Sequence, residues 1–315
     1  MKNIYSNIYS FNEKVLKKTI KSLNLGNILS LPTETVYGLA GNAYSEKAVK
    51  KIFKLKKRPK KNPLIIHFFN LKNLKKDAIL NNNFFKLYKK FCPGPITFIL
   101  KKNERSKICP LATANLDTIA VRFPSHKIIR SILKLIKFPL AMPSANISSN
   151  LSPVNAVDVY EEFKNKLEII VEGGKSKIGI ESTVVDLTSK PKILRPGIIS
   201  SKEIKKYLKI NFSKASSKVK SPGMLKKHYS PGIPVSLHGK PKSLNHAYII
   251  FGKKYKSKPN YFNLSKKGDL REAAANLYKI MRKIKNKGYK KIFVSDIPNI
   301  GAGFAINDRL KRASK

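Results

Sequence analysis

Two cysteines, Cys92 and Cys109, are all that the 315 residues contain. That is too few for a disulfide framework, and with 42% hydrophobic residues a packed core is within reach. No apolar run approaches the roughly 20 residues needed to span a bilayer. The opening stretch MKNIYSNIYSFNEK lacks the apolar centre of a signal peptide. A soluble, cytoplasmic protein with no membrane partner is therefore expected. His67, His126, His228, His238 and His246 are scattered without a helical pair, so no protein-borne metal site is expected. No G-x-S-x-G elbow is present. VEGGKSKIG offers Gly-Lys-Ser, but a Walker-type loop needs glycine where Ile169 stands, and Gly173-Gly174 reads as a plain turn. IGAGFA, residues 300–305, is too short for a dinucleotide fingerprint.

Acidic residues are the other shortage: 18 Asp and Glu face 65 Lys and Arg, a formal charge of +47. Such a surface attracts polyanions. Only nine of the basic residues are Arg, however, and the 56 Lys are spread throughout. Ile and Asn are abundant as well, which fits an AT-rich genome. Charge alone does not establish nucleic-acid contact. The same bias makes each arginine informative, because lysine cannot replace a planar fork that grips an anion. Arg58, Arg122 and Arg195 stand in KKRP, AVRFP and ILRPG.

Patterning predicts a helix over 11–24, a strand in NILSLPT, and a helix capped by Ser45 running through Lys57. NPLIIHF, ITFIL and IAVRFP read as strands, with a helix over 84–92 ended by Pro-Gly-Pro at 93–95. Ser125 is expected to cap a helix bearing Ile128, Ile129, Ile132, Leu133 and Ile136. PLAMPSAN is a strand entering a polar loop. A helix over 155–164 and the strands LEIIVEGG, ESTVVDL and KILRPG complete a mixed α/β domain with short connections. After Leu208 the chain turns polar and aperiodic, as a linker does. A compact α/β unit follows, with strands HAYIIFG and KIFVSDI, a helix over 269–287 and a short helix in GFAINDRLKRAS. At about 80 residues it is small for independent stability.

The question sits in LPTETVYGLAG, residues 31–41. A strand ends in two hydroxyls and a carboxylate behind a proline, then turns on Gly38. Other segments carry comparable sets: Lys56, Arg58 and Asn62; Thr118 and Arg122; Ser144, Asn146 and Ser152; Glu181, Ser182 and Thr183; Arg195. Singly, Ser, Thr and Asn in such places cap turns. Together they suit the binding of phosphates and carboxylates rather than covalent chemistry.

PTETVYGL, the K-x-R of Lys56 and Arg58 with RPxxNPLIIH, SANxS, GIESTVVD and LRPG form an ordered set. It resembles the YrdC-like domain of the L-threonylcarbamoyladenylate synthases over nearly all of residues 10–208. SPGMLKKHYSP and GFAINDRLKRAS resemble the long, two-domain form of that family; the short form stops after the first domain. The resemblance implies an open, twisted α/β sheet with a concave basic face in residues 1–208. It further implies a linker over the active site, 209–233, and a small Rossmann-like domain, 234–315. It implies condensation of L-threonine, bicarbonate and ATP to L-threonylcarbamoyl-AMP and pyrophosphate, with magnesium accompanying ATP. The product would serve a tRNA-modifying threonylcarbamoyl transferase complex, and weak RNA contact with the basic face is expected.

Matched position by position, the resemblance places L-threonine on Thr35, His67, Arg122, Met142 and Ser182. It places ATP on Arg58, Asn62, Thr118, Ser144, Ser152, Arg195 and Tyr229. Lys56, Arg58, Ser144 and Asn146 form the implied catalytic signature. Family members often carry Gly at Ala40, and Ala or Val at Met142, where a longer side chain would lie beside the threonine pocket. Two rival readings remain, a non-catalytic RNA-binding module and a carbamoyltransferase-type use of the same domain. The acylphosphatase-like region and paired C-x-x-C sites of the latter are missing.

Overall fold

The computed structural model describes residues 5–209, 211–212 and 228–315. The first part is built on strands β1 (Ile8–Ser10), β2 (Leu29–Leu31), β3 (Gly38–Asn42), β4 (Ile65–His67), β5 (Ile96–Lys101) and β6 (Thr118–Arg122). Strands β7 (Leu140–Ala141), β8 (Ile170–Glu172), β9 (Thr183–Asp186), β10 (Lys192–Arg195) and β11 (Asn211–Phe212) complete one sheet. Their order is β1-β8-β2-β3-β7-β4-β6-β5-β9-β10-β11, with parallel and antiparallel neighbours mixed. Helices α1 (Glu13–Asn24), α2 (Glu46–Lys56), α3 (Leu71–Leu74), α4 (Asn82–Phe91), α5 (Lys127–Leu135), α6 (Ala156–Phe163) and α7 (Ser201–Lys205) cover it.

The second part carries β12 (Val235–Ser236), β13 (His246–Ile250), β14 (Tyr261–Asn263), α8 (Leu270–Asn286), β15 (Lys291–Val294) and α9 (Gly303–Ala313). Its all-parallel sheet has the order β12-β15-β13-β14. The fold is thus α/β, a large mixed sheet with a second, small parallel one, as the patterning predicts. The two parts share a core: Tyr229, Leu277, Ile306 and the aliphatic side chains around β4 to β9 belong to one buried cluster. No helix among the described residues is long and apolar enough to cross a membrane.

Local signals explain most element ends. Ser45, Asn81, Asn155 and Asp269 each accept a backbone N–H in the first turn of the following helix. Two expectations are corrected. The cap of α5 is His126, whose ring accepts from Ile128 N, while Ser125 N instead donates to Glu34 Oε2 at 3.1 Å. A tertiary carboxylate has claimed the group that local patterning assigned to the helix. Gly38 is not a turn residue either; it opens β3, paired antiparallel with Leu31. The turn lies in 32–37, and what Gly38 supplies is space. A Cβ there would stand 2.5 Å from Met142 Cγ. Met142 therefore packs against Gly38.

Gly197, just past β10, has the same function against backbone. A Cβ there would lie 2.3 Å from Thr183 N and 2.7 Å from Ser182 C. Neither atom can swing aside, so this glycine seats Arg195 against β9. Gly197→Ala is expected to destabilise the full chain by about 1–3 kcal/mol. Urea unfolding checks it; an unchanged midpoint would refute the close approach.

Candidate active site

The loop after β2 answers the question of its composition. Thr33 Oγ1 accepts from Thr35 N at 3.1 Å and Val36 N at 3.2 Å, and donates to Val36 O at 2.6 Å. Its hydroxyl closes the turn as a backbone group would. Thr35 Oγ1 lies 2.9 Å from Thr33 Oγ1 and is wholly buried. Glu34 reaches across to β6, where its carboxylate takes Arg122 Nη2 at 2.6 Å, with both side chains under a tenth exposed. The sequence shows no pairing for Glu34, since its partner stands 88 residues away.

Parallel pairing sets His67 of β4 beside Arg122 of β6. His67 Nδ1 lies 3.3 Å from Ile65 O, which can only accept, so Nδ1 carries the hydrogen. Burial first, then the charge of Arg122, pushes the imidazole far below its usual pKa. The ring is neutral and Nε2 is an acceptor. Neither His67 Nε2 nor Arg122 Nε has a partner among the described residues, and both side chains line one cleft. One acceptor and one charged donor, side by side, suit a small zwitterion.

The opposite wall comes from the end of α2 and from β10. Arg58 Nη2 donates to Asn62 Oδ1 at 2.7 Å and Pro63 O at 2.8 Å, and Nε to Asn62 O at 2.9 Å. Burial and then the charge of Arg195 push this guanidinium down to about 9, so it stays cationic at neutral pH. Arg195 donates through Nε to Ser182 O and through Nη2 to Ser182 Oγ, each at 3.1 Å. Ser182 Oγ also meets Thr97 Oγ1 at 2.7 Å.

Of the sequence-predicted residues, Arg58, His67, Arg122, Met142, Ser144, Arg195 and Tyr229 line the cleft. Behind them stand Lys56, Asn146, Ser152 and Ser182, each almost fully buried. Lys56 Nζ donates to Ser144 O at 2.5 Å and to Asn146 O, tying α2 to the SANxS loop. Burial, followed by the charge of Arg58, drives its pKa well down. Ser144 Oγ donates to Asn146 Oδ1 at 2.6 Å. Asn62 supports Arg58, while Thr118 begins β6, four residues from Arg122 and so about 13 Å along the strand. One set comes from a helix end rather than a strand: Lys56 ends α2 and Arg58 follows it.

His228 and Tyr229, where description of the linker resumes, complete the cleft. Met224 and the rest of 213–227 lie outside the described residues. Tyr229 has a positive φ of 63° and 1% exposure. Its hydroxyl has no partner among the described residues. Burial pushes the His228 imidazole down to about 3, so it too is neutral. The space inside the cleft is about 40 Å³, room for a few waters. Sequence reasoning placed Glu181 in a polar set without giving it a ligand and gave His228 none either; the structure puts both on the wall of the cleft.

A family model described as "Telomere recombination", for the Sua5, YciO and YrdC proteins, matches residues 21–197. One described as "Threonylcarbamoyl-AMP synthase, C-terminal domain" matches residues 199–315. The chain is 38% identical to the threonylcarbamoyl-AMP synthase of Pyrococcus abyssi over 92% of this chain and 91% of that protein. It is 32% identical to that of Bacillus subtilis, over 97% and 94%. The crystal structure of P. abyssi Sua5 complexed with L-threonine matches with a TM-score of 0.90 at 35% identity, covering 98% of this chain and 97% of that one. With both parts matched along almost their whole length, the chain belongs to the threonylcarbamoyl-AMP synthase family of enzymes, in its long, two-domain form.

Proposed function

We propose that the protein joins L-threonine, bicarbonate and ATP into L-threonylcarbamoyl-AMP, releasing pyrophosphate, and that the product feeds threonylcarbamoyladenosine formation in tRNA. The observation that carries this reading is one cleft with two chemically distinct walls. Arg122 and the neutral His67 suit an amino acid, and Arg58 with Arg195 suits a polyphosphate. The family match to a protein complexed with L-threonine supports the first wall.

The threonine amine takes up the carbon of bicarbonate with loss of water, giving a carbamate. A carbamate oxygen then attacks the α-phosphorus of ATP, and the bond to the β-phosphate oxygen breaks to release pyrophosphate. No covalent enzyme intermediate is needed. Such a step gains most from positioning and from fixed positive charge around the transferring phosphorus. Arg122 holds the threonine carboxylate, and His67 Nε2 accepts from its ammonium or hydroxyl. Thr35 and Ser182 back this wall, with Met142 offering its backbone. Arg58, braced by Asn62, and Arg195 meet the phosphates; Ser144, Ser152, Thr118 and Tyr229 complete the nucleotide set. Lys56 and Asn146 hold the Ser144 loop in shape. No cluster of acidic, histidine or cysteine side chains that could cage a metal occurs among the described residues. The cleft's carboxylate, Glu181, is engaged by Ser152 and Arg309. Magnesium would be carried by the triphosphate itself, neutralising charge at its oxygens.

Arg58→Lys keeps the charge and loses the fork held by Asn62 and Pro63. Pyrophosphate release is expected to fall at least about tenfold, equivalent to about 1.4 kcal/mol of transition-state binding. Wild-type rates in that variant would remove Arg58 from the phosphate site.

A wall that hydrogen-bonds a hydroxyl rejects an isostere without one. Valine is expected to support pyrophosphate release at least about a hundredfold less well than threonine, with serine used weakly. Equal use of valine would overturn the pocket assignment, and AMP formation independent of threonine and bicarbonate would overturn the reaction.

Tyr229 is proposed to close the nucleotide wall and keep water from a hydrolysable product. With Tyr229 in this position the cleft has room for about 40 Å³, so a shift of this segment would make space for the nucleotide. A fragment ending at residue 220 would lose Arg309 from Glu181 as well as the linker, so the cleaner test is Tyr229→Ala in the full chain. Weaker ATP binding and free AMP released in excess over product are expected; a variant matching the wild type in both would make the linker a tether.

A further inference from the structure

Glu181 stands where the first and second parts of the chain meet over the nucleotide wall. Its carboxylate accepts from Ser152 Oγ at 2.5 Å, Tyr278 OH at 3.0 Å and Arg309 Nε at 3.0 Å. Tyr278 belongs to α8 and Arg309 to α9, and neither has a role in the reaction described above. Both are almost completely enclosed, at 0% and 1% exposure. Contact between the two parts is close here: a Cβ on Gly179 would lie 2.6 Å from Ala275 Cα of α8.

The same two side chains reach the other nucleotide-side groups. Arg309 Nη1 donates to Pro196 O at 2.8 Å, the carbonyl next to Arg195. The Arg309 guanidinium lies 5.2 Å from the centre of the Tyr229 ring. Tyr278 stacks on Tyr229 with ring centres 5.8 Å apart and planes 23° from parallel. We propose that Arg309 and Tyr278 are positioning residues through which the second domain sets the nucleotide half of the site, acting on Ser152 and Arg195 through Glu181 and on Tyr229 directly. The proposal rests on the assignment of that half to ATP.

The physical basis is charge. Burial by itself would raise the Glu181 carboxyl, but Arg309, then Arg195 and the Ser152 hydrogen bond, hold it down at about 2. Glu181 is thus an anion paired with Arg309 and held down further by the nearby charge of Arg195. Arg309 satisfies it through Nε while spanning to Pro196 O and Asp308 through Nη1. Without that fork the buried carboxylate would turn towards Arg195, its other cation, and draw it from Ser182 and from an incoming phosphate. An ammonium cannot span the same acceptors in one plane. The threonine half keeps its main anchor, because Arg122 is held by a different carboxylate, Glu34, within the first part, and Ser182 is the threonine-side group that the change reaches. A residue that only pinned the two parts together would affect both halves alike.

The test uses the full chain as wild type, Arg309→Lys and Tyr278→Phe, titrated calorimetrically with ATP and separately with L-threonine. Arg309→Lys is expected to weaken ATP binding at least about fivefold and Tyr278→Phe about two- to threefold, since each alters a hydrogen bond to a buried charge. L-Threonine affinity should stay within about twofold in both. Unchanged ATP affinity, or equal losses for the two ligands, overturns the proposal. Tyr278→Phe keeps the ring and decides the matter alone if Arg309→Lys does not fold. A wild type that binds both ligands yet releases no pyrophosphate would sink the proposed reaction and leave this inference standing.

Discussion

Positive charge crowded into a small, water-poor volume is the constraint on which this architecture depends. Lys56, Arg122, Arg195 and Arg309 are each under a twentieth exposed, and Arg58 joins them at the cleft. Like charges in a medium of low polarisability repel strongly and lose their hydration as well. The chain has 18 acidic residues to offset 65 basic ones, and it buries two of them here, Glu34 and Glu181. Each is matched to one side of the cleft. The remaining cationic excess is unfavourable without an anion, a condition that the proposed triphosphate and amino-acid carboxylate would meet. Binding of such ligands would stabilise the folded state.

Much of this was legible in the sequence. Short apolar runs and helical periodicity, with the Ser45 cap, located β2, β4 to β10, α1, α2, α4, α6 and α8 to within a few residues, because those signals are local. Scarcity of arginine was as informative as pattern. Arg58, Arg122 and Arg195 line the cleft, and Arg282 and Arg309 reach from the second part to acidic side chains of the first. What stayed hidden was pairing. Glu34 takes both Arg122 and the N–H of Ser125, and nothing near it in sequence announces either. Arg309 sits in a helix that reads as an ordinary amphipathic end, yet its acceptor lies 128 residues back. Gly38 looked like a turn glycine because its neighbours are polar; its function is to make room for Met142, which only the pairing of β3 across the sheet reveals.

The two carboxylates also differ in how firmly they are placed. Glu34 and Arg122 both belong to the large sheet and its connecting loop, so the amino-acid half is fixed by the same hydrogen bonds that fix the fold. Glu181 takes two of its donors from helices of the second part and shares a third, Ser152, with the loop leading to α6. Tyr229 is wedged between those helices and the cleft, in a backbone conformation that a non-glycine residue adopts at a cost. Displacing Tyr229 would therefore disturb Tyr278 and Arg309 as well, and through them Glu181. On the proposed assignment the nucleotide half is conditional on how the second part is docked, whereas the amino-acid half depends on it only through Ser182, which Arg195 holds. On the proposed reading the amino-acid half keeps its own carboxylate, while the phosphate half depends on Tyr229, α8 and α9 being seated together. On that reading α8 and α9 couple the placement of Tyr229 to the pairing of a buried carboxylate, which a tether of equal length without them would not provide.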